Sequence, residues 1–123
     1  MNKENSVLFL GDVVPYKPFR FKNNYKTVFN LECPVTKEGK PAADKIILSV
    51  KENYLKNTFK DNTLCVCLGN NHILDFGKEG LESTLKELEK LKLKWFGINI
   101  EHNDDCIPLI TELNKITIAF FSV

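Results

Sequence analysis

Five side chains stand at the ends of apolar runs and are of kinds that bind cations or carry protons. They are Asp12 in VLFLGD, Glu32 in KTVFNLE, and Asn71, His72 and Asp75 in LCVCLGNNHILD. Two carboxylates and an amide oxygen are hard donors, suited to Mg, Mn, Fe or Zn rather than to a thiolate-seeking metal. One divalent ion, or two a few ångströms apart, could clamp an attacking water together with the oxygens of a phosphate ester. Each residue alone has a plainer reading. Asp12 and Glu32 could be a turn residue and a solvated loop carboxylate, and Asn70 and Asn71 could be turn residues tolerating left-handed backbone. His72 could be structural, and Asp75 could simply open the following helix. His102, in the polar loop EHNDD, reads as solvated. The three strand ends taken together favour a site.

Such a site requires that the runs carrying these residues lie side by side. Val7 to Leu10 reads as a first short strand, followed by a loop through VVPYKPFRFKNNY with its two prolines. Lys26 to Leu31 reads as a second strand. The turn-rich CPVTKEGKPAADK then makes a long surface excursion. Val50, Tyr54, Leu55 and Thr58 fall at helical spacing within Ser49 to Phe59, with Ser49 a candidate cap. Thr63 to Leu68 is apolar on both faces, as in a buried parallel strand. Leu81, Leu85, Leu88 and Leu91 form one stripe of a helix over Lys78 to Lys92. Lys94 to Ile98 is a further strand, and CIPLITELNKITIAFFSV a hairpin turning at Asn114-Lys115. This alternation predicts an α/β fold with a parallel sheet. In such sheets ligands bind outside the carboxyl ends of the strands, where Asp12, Glu32 and the Asn-Asn-His turn would meet.

The 123 residues make one domain, 43% apolar and 27% charged, which is a globular composition. A net charge of +1 offers no electrostatic footprint for nucleic acid. The apolar run before Asp12 is too short for a membrane span or a signal-peptide core, so a cytoplasmic protein is expected. Cys33, Cys65, Cys67 and Cys106 form no recognisable zinc pattern. They read as reduced, buried thiols, with Cys65 and Cys67 expected on opposite sides of their strand. The last residues, FFSV, are the most strand-like of all, which predicts the N-terminal part of a longer fold and an edge open to pairing with a second copy.

The combination of FLGDVVP, NLECPVT and LGNNHILDFGKEGLESTLKELEKLKLKWFG resembles the CapA-type proteins of poly-gamma-glutamate capsule biosynthesis. That family is similar to the calcineurin-like metallophosphoesterases. The resemblance runs from Val7 to Val123. It implies a metallophosphatase-like α-β-β-α sandwich, of which this chain would be the N-terminal half. It also implies one or two divalent metal ions and a phosphate-ester or anionic-polymer substrate, with other capsule-synthesis proteins as partners and surface association as a family trait.

Carried over by position, the resemblance makes Asp12 a ligand of one metal. Glu32 takes the place of the aspartate that bridges two metals, and Asn71 becomes a ligand through its side-chain oxygen. His72 would contact the scissile phosphate or act as an acid, and Asp75 would orient His72. Asn30 and Asn70 keep the family pattern in supporting roles. Two departures matter. Where metallophosphoesterases carry a histidine two residues after the first aspartate, this chain has Val14, and the capsule family also tends to lack that histidine. The histidines that complete a binuclear site are expected from the second half of the fold, so half a site is expected here. Two further readings stand beside a metal-dependent hydrolase: a non-catalytic accessory subunit that binds polymer, suggested by the incomplete ligands, and a truncated inactive fragment, suggested by the strand-like FFSV.

Overall fold

The computed structural model describes residues 6–17, 24–36, 39–59, 61–99 and 107–122. His102, Cys106 and part of the loop after Asp12 lie outside them. Four parallel strands form one sheet in sequential order: β1 (Val7–Val13), β2 (Lys26–Leu31), β3 (Thr63–Cys67) and β4 (Trp95–Phe96). Two helices, α1 (Glu52–Phe59) and α2 (Gly77–Lys90), occupy the crossovers. A separate antiparallel hairpin, β5 (Leu109–Leu113) and β6 (Ile116–Phe120), follows. The α/β expectation holds, and so does the hairpin turn. Asn114 and Lys115 both take positive φ, 51° and 67°, as a two-residue hairpin turn of the favoured twist requires.

The strands alternate between two apolar clusters, and this alternation sets the layers. Phe29 and Leu31 of β2, Val66 of β3 and the adjoining Leu68 face the helices, where they meet Leu55 of α1 and Leu81, Leu85 and Leu88 of α2. Fully burying each of these side chains stabilises the fold by about 1.5–3 kcal/mol. Val28, Cys65 and Phe96 face the other way and pack under the hairpin through Phe120, Leu109 and Ile118. Helices, a parallel sheet and a second sheet thus lie in sequence, which is a metallophosphatase-like layering. Cys65 and Cys67 belong to the same cluster, contrary to expectation, because residues two apart on a strand share a face. Burial pushes the Cys33 and Cys65 thiols up to about 12, so both are inert packing residues.

Three elements depart most from the sequence-based expectation, each for a visible reason. β1 runs on through Asp12 to Val13 because Gly11, at φ +70°, allows a bulge between Phe9 and Asp12. β4 is only two residues long because Gly97 turns away at φ +92°, with no room for a Cβ against the Gly69 backbone. Ser49 does not cap α1. The neighbouring Val50 N–H donates to the Pro34 carbonyl at 3.1 Å beside a parallel bridge to Val35, which delays the helix to Glu52. At its far end α2 closes with Lys92 in the left-handed region, and the Leu93 N–H donates to the Leu88 carbonyl at 2.9 Å.

Candidate functional site

The bulge at Gly11 decides where Asp12 points. Phe9 pairs with Val28 and lies on the hairpin side, 6.3 Å from the Phe120 ring between centroids. In unbroken alternation Gly11 would stand opposite Asn30, and Asp12 would face the helices. The extra residue puts Asp12 opposite Asn30 instead. There the Asn30 Nδ2 donates to Asp12 Oδ1 at 2.8 Å. A Cβ at Gly11 meets nothing within 4 Å, so a side chain there is penalised by its φ alone. Gly11→Ala is therefore expected to cost about 1 kcal/mol in urea unfolding, by straining or straightening the bulge.

A chain of amide bonds ties the three strand ends together. Asn70 Nδ2 donates to Asn30 Oδ1 and to the Leu31 carbonyl, both at 2.9 Å. Asn70 Oδ1 accepts the N–H groups of His72 and Ile73, both at 3.0 Å. It thereby forms the turn that follows β3 and links that turn to β2. Asn70 is a fastening residue with both ends of its amide engaged, and Asn30 is the link between it and Asp12. Their place at strand ends and their match to the family pattern were the signals in the sequence, and both pointed to supporting roles.

Asp12 and Glu32 meet. Partial burial raises the Glu32 carboxyl above its ordinary value, and the charge of Asp12 and a hydrogen bond between the two side chains raise it further. The charge of His72 acts in the opposite sense, so the imidazole shares this neighbourhood. Two carboxylates in contact repel one another, and a divalent cation with hard-oxygen preferences relieves that repulsion. The donor set accordingly fits such an ion as two of its ligands. Asn71 is exposed, and its backbone carbonyl accepts a hydrogen bond from Lys45 Nζ at 2.7 Å. Chain position brings Asn71 next to His72. Among the described residues, no group of three or more His, Cys, Asp or Glu side chains is arranged to hold a metal.

Asp75 does not cap the helix. The residue before α2 is Phe76, with no side-chain cap, and Asp75 turns inward, fully buried. Its Oδ2 accepts the Leu48 N–H at 2.8 Å and lies 2.8 Å from His72 Nδ1. Its Oδ1 faces the Lys45 ammonium at 2.5 Å. Burial alone would raise this carboxyl. The hydrogen bonds from Lys45, the Leu48 N–H and His72 together outweigh burial and hold the carboxyl below its ordinary value. An ionised acceptor at Nδ1 selects the Nδ1–H form of a neutral imidazole. That leaves Nε2 of a ring that is 17% exposed free for a ligand. Lys45 went unrecognised in the sequence, where CPVTKEGKPAADK reads as a surface excursion.

Comparison with known proteins gives two findings. The family described as "Bacterial capsule synthesis protein PGA_cap" matches residues 9–123. The "Capsule biosynthesis protein CapA" of Bacillus anthracis is 31% identical in an alignment that covers 97% of this chain and 29% of that protein. The chain therefore spans less than a third of the length of this curated relative.

Proposed function

Since the chain belongs to the bacterial capsule synthesis protein PGA_cap family, we propose that its strand-end cluster is a divalent-metal site serving hydrolysis or transfer at a phosphate or related ester during capsule synthesis. The observation that carries this reading is the contact of Asp12 with Glu32 at the ends of neighbouring parallel strands, within the field of His72. Asp12 and Glu32 would hold the ion, with Asn71 as the amide ligand. A divalent ion there supplies a Lewis acid for a phosphoryl oxygen and lowers the pKa of a nearby water. His72, held through Nδ1 by Asp75, presents Nε2 to the substrate; as the imidazolium it would give its Nε2 proton to the leaving oxygen and return to the neutral ring with Nδ1–H still on Asp75. The Asn30–Asn70 link keeps Asp12 aimed while this happens. Poly-gamma-glutamate is the polymer that this reading associates with the chain, and other capsule-synthesis proteins are its expected partners.

A second reading is favoured by one specific observation. Val14, which stands where metallophosphoesterases carry a histidine, packs against the helix-side apolar cluster. A chain that has turned a ligand position into core could act as a polymer-binding accessory subunit. Hydrolysis of p-nitrophenyl phosphate, with Mg, Mn, Fe or Zn supplied in turn, separates the two. Turnover that requires metal and is lost in Asp12→Ala supports the esterase. Binding of poly-gamma-glutamate, with no turnover under any metal and no effect of Asp12→Ala, supports the accessory reading. No helix of the described residues is long and apolar enough to cross a membrane.

A further inference from the structure

The excursion between β2 and α1 folds back over Asp75. The Ala42 N–H donates to the Asp75 carbonyl at 2.7 Å, and the Leu48 N–H donates to its carboxylate at 2.8 Å. Between them Asp44 takes φ 60°, a left-handed turn that aspartate tolerates better than most residues. Lys45 follows, and its side chain, 32% exposed, reaches in to two groups at once: Asp75 Oδ1 and the Asn71 carbonyl. Asp75 Oδ2 already serves the Leu48 N–H and His72 Nδ1, while Oδ1 is buried without a hydrogen bond of regular geometry and faces the Lys45 ammonium as its charged partner among the described residues.

We propose that Lys45 is a positioning residue, a cationic latch that satisfies Asp75 Oδ1 and pins the Asn71–His72 turn, so that Asp75 orients the His72 ring instead of drawing a metal ion. A buried carboxylate oxygen without a donor is costly, and either a proton or a cation can relieve it. Either would withdraw the carboxylate from Nδ1. With the ammonium on Oδ1, Oδ2 stays committed to the ring, and the metal is left to Asp12 and Glu32. The inference builds on the proposed role of His72 and adds the residue that makes this role dependable.

The test compares the wild-type chain with Lys45→Met, of similar length without the charge, and Lys45→Arg, which restores a cation. Long-range ¹H–¹⁵N spectra at a pH where the ring is neutral report the His72 tautomer. Wild type is expected to show Nδ1–H, Lys45→Met a mixture shifted toward Nε2–H, and Lys45→Arg a return toward wild type. If the chain hydrolyses p-nitrophenyl phosphate, Lys45→Met should also lower kcat about 10–100-fold with KM little changed. An unchanged tautomer in Lys45→Met, or no recovery in Lys45→Arg, overturns the latch. Absence of wild-type turnover counts against the esterase reading alone, because the spectra test the latch separately. Should Lys45→Met fail to fold, the wild-type chain still decides. Nuclear Overhauser contacts from the Lys45 ε-methylene to the Asn71–His72 backbone protons support the latch, and their absence refutes it.

Discussion

Asp75→Ala is expected to lower the unfolding free energy by about 3 kcal/mol, the largest stability loss of any single change near the site. The carboxylate is fully buried and serves three groups from two segments: Lys45 and the Leu48 N–H from the excursion, and His72 from its own turn. Removing one partner of a buried charged pair commonly costs about 3–5 kcal/mol. The lower end applies because Lys45, a third exposed, can swing back to water. The Leu48 N–H, on a half-buried residue, loses its acceptor as well. Asp75→Asn should fare little better, since its amide NH₂ would face either Lys45 or the Leu48 N–H, both donors.

The pH dependence carries the same signature. The folded state holds the Asp75 carboxyl below its ordinary value of 3.8. The unfolded chain therefore takes up this proton first as pH falls. The contribution of Asp75 is complete above that value and is lost as pH drops through the lower folded one. Urea titrations at neutral pH and from pH 4 downward should show wild type losing stability over that acid range. In Asp75→Ala this part of the slope should disappear. Parallel acid limbs in the two proteins would show that the carboxylate is not held by these partners.

Glu32→Gln is expected to do the opposite. Glu32 touches a second carboxylate, and its raised carboxyl shows that ionisation is disfavoured where it stands. Removing one of two like charges should leave the metal-free thermal midpoint unchanged or slightly higher. The same substitution should weaken divalent-ion binding by more than the 10–100-fold that partners outside the coordination shell are typically worth. A position that loses binding without losing stability is one kept for function at some expense to the fold. If Glu32→Gln instead unfolds the protein at lower temperature and leaves ion binding intact, Glu32 is a structural residue. Thermal melts with and without MnCl₂ read both halves of this expectation.

How far the sequence discloses this architecture depends on the range of the interaction. The apolar runs of β2 and β3 and the Leu stripe of α2 are local patterns, and their elements form as expected. Asn114-Lys115 likewise marks its turn locally. The reach of β1 through Asp12 depends on a bulge that the pair Gly-Asp only hints at. That bulge is what brings the first carboxylate to the correct side of the sheet. Ser49 has the look of a cap, yet Val50 is claimed by a bridge to Val35, fifteen residues earlier in the chain. Lys45 is the clearest case of illegibility. A lysine in a turn-rich excursion resembles any solvated lysine until the chain folds it onto a carboxylate thirty residues away. Asp12, Glu32 and His72 could be picked out because their residue types stand out at strand ends. The asparagines that aim them kept the family pattern, but which groups they support becomes visible only through the bonds they make.

If Asp12 and Glu32 jointly receive a divalent cation at the converging strand ends, calorimetric titration of Mn²⁺ into the chain and into Glu32→Gln will separate the two proteins. The wild-type chain is expected to give a saturable heat that vanishes in the variant while the variant remains folded. Saturable binding of equal strength in both proteins, or no binding in either, would contradict that joint binding.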